Sequence, residues 1–145
     1  MKKDTSSDGY NRWPFKPQSP SLSGDVNNGG IDLVEHPELI DKVHEATEAN
    51  GLRPLLIQLN GADSPFKTLG CLYGPGEGDE HHDRIYSYIE LTFRDQVRAR
   101  DMAEIDALED NWIEWLKGFE STHPGISTGM PQNIQWDYRQ YSYVG

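Results

Sequence analysis

Asp79-Glu80-His81-His82-Asp83 is the densest run of metal-ligating side chains in the sequence, five hard or borderline donors in succession. A zinc centre needs three or four ligands at tetrahedral directions, drawn from separate elements or from helical i, i+4 pairs. Consecutive residues on one Gly-rich loop supply that geometry poorly. The sequence has no HxxxH, HExxH or paired-cysteine spacing to complete it, and His36, His44 and His123 stand far off along the chain. The loop therefore reads as a solvated acidic segment and no metal or other cofactor is assigned. A small metal-dependent enzyme built on His81, His82 and the neighbouring carboxylates is the alternative.

Other chemistries fare worse. The single cysteine, Cys71, sits in an apolar run with Leu69, Leu72 and Tyr73, which suits a small buried hydrophobe better than a catalytic thiol. There is no GxSxG elbow. His36-Pro37-Glu38 matches half of a zinc-deaminase signature whose cysteines are missing. Gly74-Pro75-Gly76-Glu77-Gly78 lacks the lysine and following helix of a phosphate cradle, and its acid repels phosphate. Glu90, flanked by Tyr86, Tyr88 and Arg94, is the best single acid–base candidate, yet a strand carboxylate in such company more often makes a structural cross-strand pair. No catalytic residue is assigned, and the protein reads as a non-enzyme.

Charge offers a different lead. Asp106, Asp110 and Glu114 fall at i, i+4, i+8 on one side of a periodic segment running from Asp101 to Glu120, with Lys117 its only cation. Like charges at that spacing destabilise a helix by roughly 0.2–0.5 kcal/mol per pair, so a chain selected for folding alone tends to intersperse lysines. With Asp79, Glu80 and Asp83 of the loop, and with Trp136 and Tyr138 of an aromatic C-terminal segment, this ridge suggests a surface for a basic partner: acids to steer, aromatics to anchor.

These residues must be held by elements that the patterning predicts. On the other side of the Asp101–Glu120 segment lie Val97, Ile105, Leu108, Trp112, Trp115, Leu116 and Phe119 at about 100° per residue. Asp101 suits its N-cap, with Glu104 completing an acidic capping box. A first helix is expected from Pro37, carrying Leu39, Ile40, Val43 and Ala46 inward, to Asn50, with Gly51 left-handed after it. Arg53–Asn60 and Phe66–Tyr73 read as a pair of strands, with Gly70 marking a bulge. Arg84–Arg94 shows the cleanest alternation, placing Ile85, Ile89, Leu91 and Phe93 on the face where Trp112, Trp115 and Phe119 would pack. The last strand is expected over Asn133–Val144. Residues 1–30 form an irregular Ser/Pro/Gly-rich arm whose Trp13 and Phe15 could cover that strand.

The resulting fold class is α+β: a mostly antiparallel sheet of about four strands, two helices packed on it, and the arm. The organisation is an arm over residues 1–30 and one domain over 31–145, in keeping with a length of 145 residues. Net charge is −11, of which residues 1–30 contribute +1. A body so acidic repels nucleic-acid backbones. A lone cysteine, no leader pattern and no long apolar run point to the cytoplasm and away from a membrane. The function expected is that of a small acidic inhibitor, antitoxin-like or immunity-type protein that neutralises a basic, nucleic-acid-handling protein. A homo-oligomer assembled through the arm is a further possibility.

Overall fold

The structure is a computed structural model of the full chain and describes residues 1–5, 11–18, 28–75, 85–127 and 135–143. It divides into two compact units, one of Met1–Asn11 with Asp95–Gln140, the other of Arg12–Arg94 with Tyr141–Gly145. Each draws its first and last stretches from opposite ends of the chain.

In the first unit, a two-residue strand β1 (Lys2–Lys3) precedes a long helix. In the second, β2 (Arg12–Trp13) is followed by a 3-10 helix (Pro37–Lys42), α1 (Leu52–Leu59), β3 (Phe66–Pro75) and β4 (Ile85–Phe93). The first unit resumes with a 3-10 turn (Arg98–Arg100), the long helix α2 (Met102–Thr122) and β5 (Asp137–Tyr138); β6 (Ser142–Tyr143) returns to the second unit. The mixture of helices and strands is as expected, but the sheet is not. Among the described residues one antiparallel pair forms, β3 with β4, together with two parallel bridges of two residues each, β1 with β5 and β2 with β6.

The missing strand is α1. Arg53–Asn60 was expected to be extended, and Leu52–Leu59 is helical. The local chemistry explains why. Gly51 takes φ 75° at the N-cap, and the Asn50 side chain accepts from the backbone N–H of Leu52, satisfying a donor that a helix start would otherwise orphan. Pro54 falls within the first turn, where its lack of an N–H costs nothing. Leu52 and Leu56 then lie one above the other and are buried, while Leu55 and Ile57 face solvent. An eight-residue apolar run of this kind cannot be assigned by periodicity alone.

Together with Leu33, Ile40 and Ala46, these leucines make the core of the second unit, and Leu56 is only 1% exposed. Ile31, Leu39, Val43, Cys71, Tyr73 and Ile89 pack around them. The helix expected over Pro37–Asn50 is a six-residue 3-10 helix followed by turns. Its last carbonyl, Lys42 O, accepts from Asn28 Nδ2 at 2.6 Å instead of from a continuing helix.

The β3–β4 pair begins with Phe66 opposite Phe93 and shifts register between Thr68 and Gly70, the bulge expected there. The shift passes over Leu69, whose carbonyl accepts from Trp13 Nε1 at 3.1 Å. Gly70 is a tight position: a Cβ would stand 3.0 Å from a carboxylate oxygen of Glu90, which would have to give way by a few tenths of an ångström. Arg94 closes the Phe66–Phe93 end, donating to Phe66 O and Gly61 O at 2.7 Å each.

In the first unit, Asp101 caps α2 as expected, its carboxylate accepting from the backbone N–H of Ala103 at 2.9 Å. Glu104 does not complete a capping box: it binds the Arg98 guanidinium at 2.8 Å. That hydrogen bond chiefly raises the Arg98 pKa above its usual value. Beyond α2, Lys2 N–H donates to Trp136 O and Asp4 N–H to Tyr138 O, and the Asp4 carboxylate pairs with Arg139. The β1–β5 bridge is thus tied at both ends.

Candidate interaction surface

The acidic ridge lies where the spacing places it. Asp106, Asp110 and Glu114 are all exposed on α2, a helix of 21 residues. Among the described residues only Glu114 of the three has a cation at ion-pair distance, Lys117 Nζ at 2.8 Å, and both side chains are well exposed. One turn away, Glu109 takes the Met1 amino group at 2.5 Å. The hydrogen bond it donates to Glu109 raises that amine above its ordinary value despite a desolvation cost, helped by the charges of Glu109, Asp106 and Asp110.

The opposite side of α2 departs from expectation. Trp112, Trp115 and Phe119 were to be core residues under a four-stranded sheet. Trp112 is instead 37% exposed and Trp115 57%, and Leu116 is the one buried residue of the helix. Ile85, on the strand face meant to receive them, is itself exposed, as is Val97. With α1 helical and the C-terminal segment forming only short bridges, the sheet that was to cover these rings does not form.

What the rings do is stack on one another. Trp112 and Trp115 lie 5.3 Å apart at 20°, Trp115 and Phe119 5.5 Å at 23°, and Phe119 and His123 4.0 Å at 17°. Trp136 meets Trp112 edge-on at 6.1 Å. Such pairs contribute about 0.5–1.5 kcal/mol each beyond area burial, which offsets part of the cost of leaving large rings in water. Trp136 is half-buried, and its Nε1 is buried with no hydrogen-bond partner among the described residues. Tyr138 is also half-buried, opposite Lys3 in the β1–β5 bridge.

The structure therefore gathers Trp136 and the ridge-bearing helix into one unit, with Tyr138 in the adjoining bridge. Asp79, Glu80, Asp83, His81 and His82 lie outside the described residues. The exposed aromatic ladder was not anticipated as a surface. One signal for it was present: His123 continues the Trp112, Trp115, Phe119 spacing with a polar ring that a core would not ask for.

Among the described residues no group of three or more His, Cys, Asp or Glu side chains is placed to hold a metal ion. Burial, with a smaller effect from Glu45, pushes the Cys71 thiol up to about 12. It therefore stays protonated at neutral pH and is no nucleophile. Glu90 lies against Gly70 across the bulge. His36 is exposed, 3.4 Å from Glu38. An open cleft of about 770 Å³ runs past Trp13, Pro14, Asn28, Asp32, Lys42 and Tyr143. The Lys67 ammonium lies over the Trp13 ring at 4.1 Å and the Tyr143 ring at 5.3 Å and is paired with Asp32.

Among the described residues no helix is long and apolar enough to cross a membrane. No protein-family model, curated protein or solved structure matches this chain.

Proposed function

We propose that this protein acts by binding another protein through α2, as an inhibitor or immunity-type antagonist that occludes a basic, nucleic-acid-handling surface. The observation that carries the reading is the exposure of Asp106, Asp110 and Glu114 along one side of a single helix, with only Glu114 at ion-pair distance from a cation among the described residues. Three like charges in a row weaken the helix that bears them. Facing a basic partner, the same charges accelerate encounter and set its register. The chain's net charge of −11 acts in the same direction.

The test is capture of a partner from native lysate by the full chain and by an Asp106→Lys/Asp110→Lys/Glu114→Lys variant, followed by association kinetics with the purified partner. A basic partner is expected to associate at least tenfold more slowly with the reversed variant, and more slowly with rising salt. A partner retained equally by both chains, with an association rate indifferent to salt, would overturn the reading.

A further inference from the structure

Asparagine followed by glycine occurs three times in this chain, at Asn28-Gly29, Asn50-Gly51 and Asn60-Gly61. The pair carries a reaction of its own. The glycine amide nitrogen gives its proton to water or hydroxide and bonds to the asparagine Cγ. The Cγ–Nδ2 bond then breaks, and the amine takes a proton from solvent and leaves as ammonia. The cyclic imide so formed adds water and opens to an aspartyl or an isoaspartyl residue, the second with an extra methylene in the backbone. One water is consumed and one ammonia released. Glycine suits the ring closure because it has no Cβ to hinder the approach.

The fold closes this route at two of the pairs. Asn60 is buried, its Oδ1 accepting from the Thr68 backbone N–H and its Nδ2 donating to Leu56 O and Thr68 Oγ1. Asn50 Oδ1 accepts from the backbone N–H groups of Thr47 and Leu52, and its Nδ2 donates to Glu45 O at 2.7 Å. The attacking nitrogens are engaged too: Gly51 N–H donates to Glu48 O and Gly61 N–H to Gln58 O, each at 3.2 Å. At either site several bonds must open together before Cγ can reach the nitrogen.

Asn28 differs on both counts that matter, restraint and consequence. It is exposed, and among the described residues its side chain is held through Nδ2 alone, by Lys42 O at 2.6 Å and by His44 Nδ1 at 3.4 Å. The glycines that follow it are packed close. A Cβ on Gly29 would stand 2.9 Å from Phe15 O and from Pro17, and one on Gly30 2.9 Å from Trp13 Nε1 and from Pro14. After Gly51, by contrast, nothing lies within 4 Å. Gly30 N–H also donates to Phe15 O at 2.9 Å, so the backbone just after Asn28 is what the Trp13–Phe15 segment rests on.

We infer that Asn28 is a site of spontaneous deamidation whose conversion loosens the Trp13–Phe15 segment from the second unit. Either product replaces the amide that donates to Lys42 O with a carboxylate, which sets oxygen against oxygen. The isoaspartyl product also lengthens the backbone beside Gly29 and Gly30, where neighbours already stand at closest approach. The site lies in the second unit and does not depend on the reading of α2.

The test ages full-length protein at mildly alkaline pH and follows the three pairs by peptide mapping with mass spectrometry, aspartyl and isoaspartyl peptides being separated by retention. Asn28 is expected to convert at least tenfold faster than Asn50 or Asn60. An intact Asn28, or conversion of either other asparagine at a comparable rate, overturns the site. Hydrogen exchange at the Gly30 amide reads the loosening, with Asn28→Ser, which cannot form the imide, aged alongside. Protection is expected to fall at least tenfold in the converted chain and to hold in Asn28→Ser. Unchanged protection in the converted chain, or an equal loss in aged Asn28→Ser, overturns the loosening.

Discussion

The Lys67 ammonium sits 2.5 Å from an Asp32 carboxylate oxygen, and both side chains are largely removed from water, at 14% and 16% exposure. Lys67 belongs to β3, and Asp32 to the irregular stretch before the 3-10 helix. The pair therefore pins a segment with few backbone bonds of its own onto the hairpin. The same ammonium lies over the Trp13 ring, and Trp13, 3% exposed, donates its indole N–H to the carbonyl at the β-bulge. One cation thus joins the chain's N-terminal stretch, its hairpin and Tyr143 of β6.

This geometry fixes a pH dependence. Burial alone would raise the Asp32 carboxyl, but the hydrogen bond from Lys67, the backbone N–H groups of Glu35 and Val34, and the Lys67 charge outweigh it and hold the pKa below the ordinary value. A carboxyl depressed on folding contributes stability above its unfolded pKa, about 3.9, and loses it as pH falls through the folded value. Asp32→Asn is expected to cost about 1.5–3 kcal/mol at pH 7, the range for a hydrogen bond to a charged group. The gap to wild type should close as pH falls below about 4. Urea denaturation of both proteins at pH 7 and at pH 2.5 measures it, and an unchanged gap at pH 2.5 would show that the pair is not the source.

The core lies under α1, and a pair of substitutions separates this arrangement from one centred on α2. Leu56→Ala removes a side chain that is 1% exposed and is expected to cost about 2–5 kcal/mol. Trp115→Ala removes a far larger ring that is 57% exposed. It is expected to cost about 1–3 kcal/mol, the scale of the two stacking pairs, with Trp112 and Phe119, that it forfeits. A thermal melt in which Trp115→Ala falls further than Leu56→Ala would place the core on the wrong helix.

The contrast between those two residues marks how far the sequence could be read. Features fixed by one residue's own chemistry were legible: Asp101 as a cap, the bulge at Gly70, the positive φ of Gly51 and the strands at either side of the acidic loop. Gly51 shows the limit. Its backbone conformation was foreseeable, but it starts α1 and was expected to end the helix before. The aromatic side of α2 shows a deeper one. Periodicity states that Trp112, Trp115 and Phe119 share a side, but only a covering layer makes that side a core, and the layer depended on Arg53–Asn60 being a strand. One misassigned eight-residue run therefore moved the predicted core from one helix to another. The ridge was legible because charged residues at helical spacing point outward whatever lies on the other side.

Asn60 and Thr68 offer the sharpest test of the second unit's interior. Both are buried polar residues, and they satisfy one another. Asn60 Oδ1 accepts from the backbone N–H of Thr68 at 3.0 Å, while Asn60 Nδ2 donates to Thr68 Oγ1 at 2.7 Å and to Leu56 O at 2.8 Å. The exchange joins the C-terminus of α1 to β3 at the residue before the bulge. The two sides of this contact should not be equally sensitive. Asn60→Ala strands the Thr68 amide without an acceptor and leaves a cavity, and an orphaned buried donor costs about 1–3 kcal/mol. Thr68→Val keeps the amide paired to Asn60 and, being of the same shape, leaves no cavity; it orphans only one Asn60 Nδ2 hydrogen, at a cost of about 1 kcal/mol, the low end of that range. Asn60→Asp keeps the acceptor but brings a carboxylate into a buried site. Its destabilisation should therefore grow as pH rises from 4 to 7, whereas that of Asn60→Ala should not change. Denaturation midpoints of the three variants across that range give the ranking directly, and a Thr68→Val loss as large as that of Asn60→Ala would refute the asymmetry.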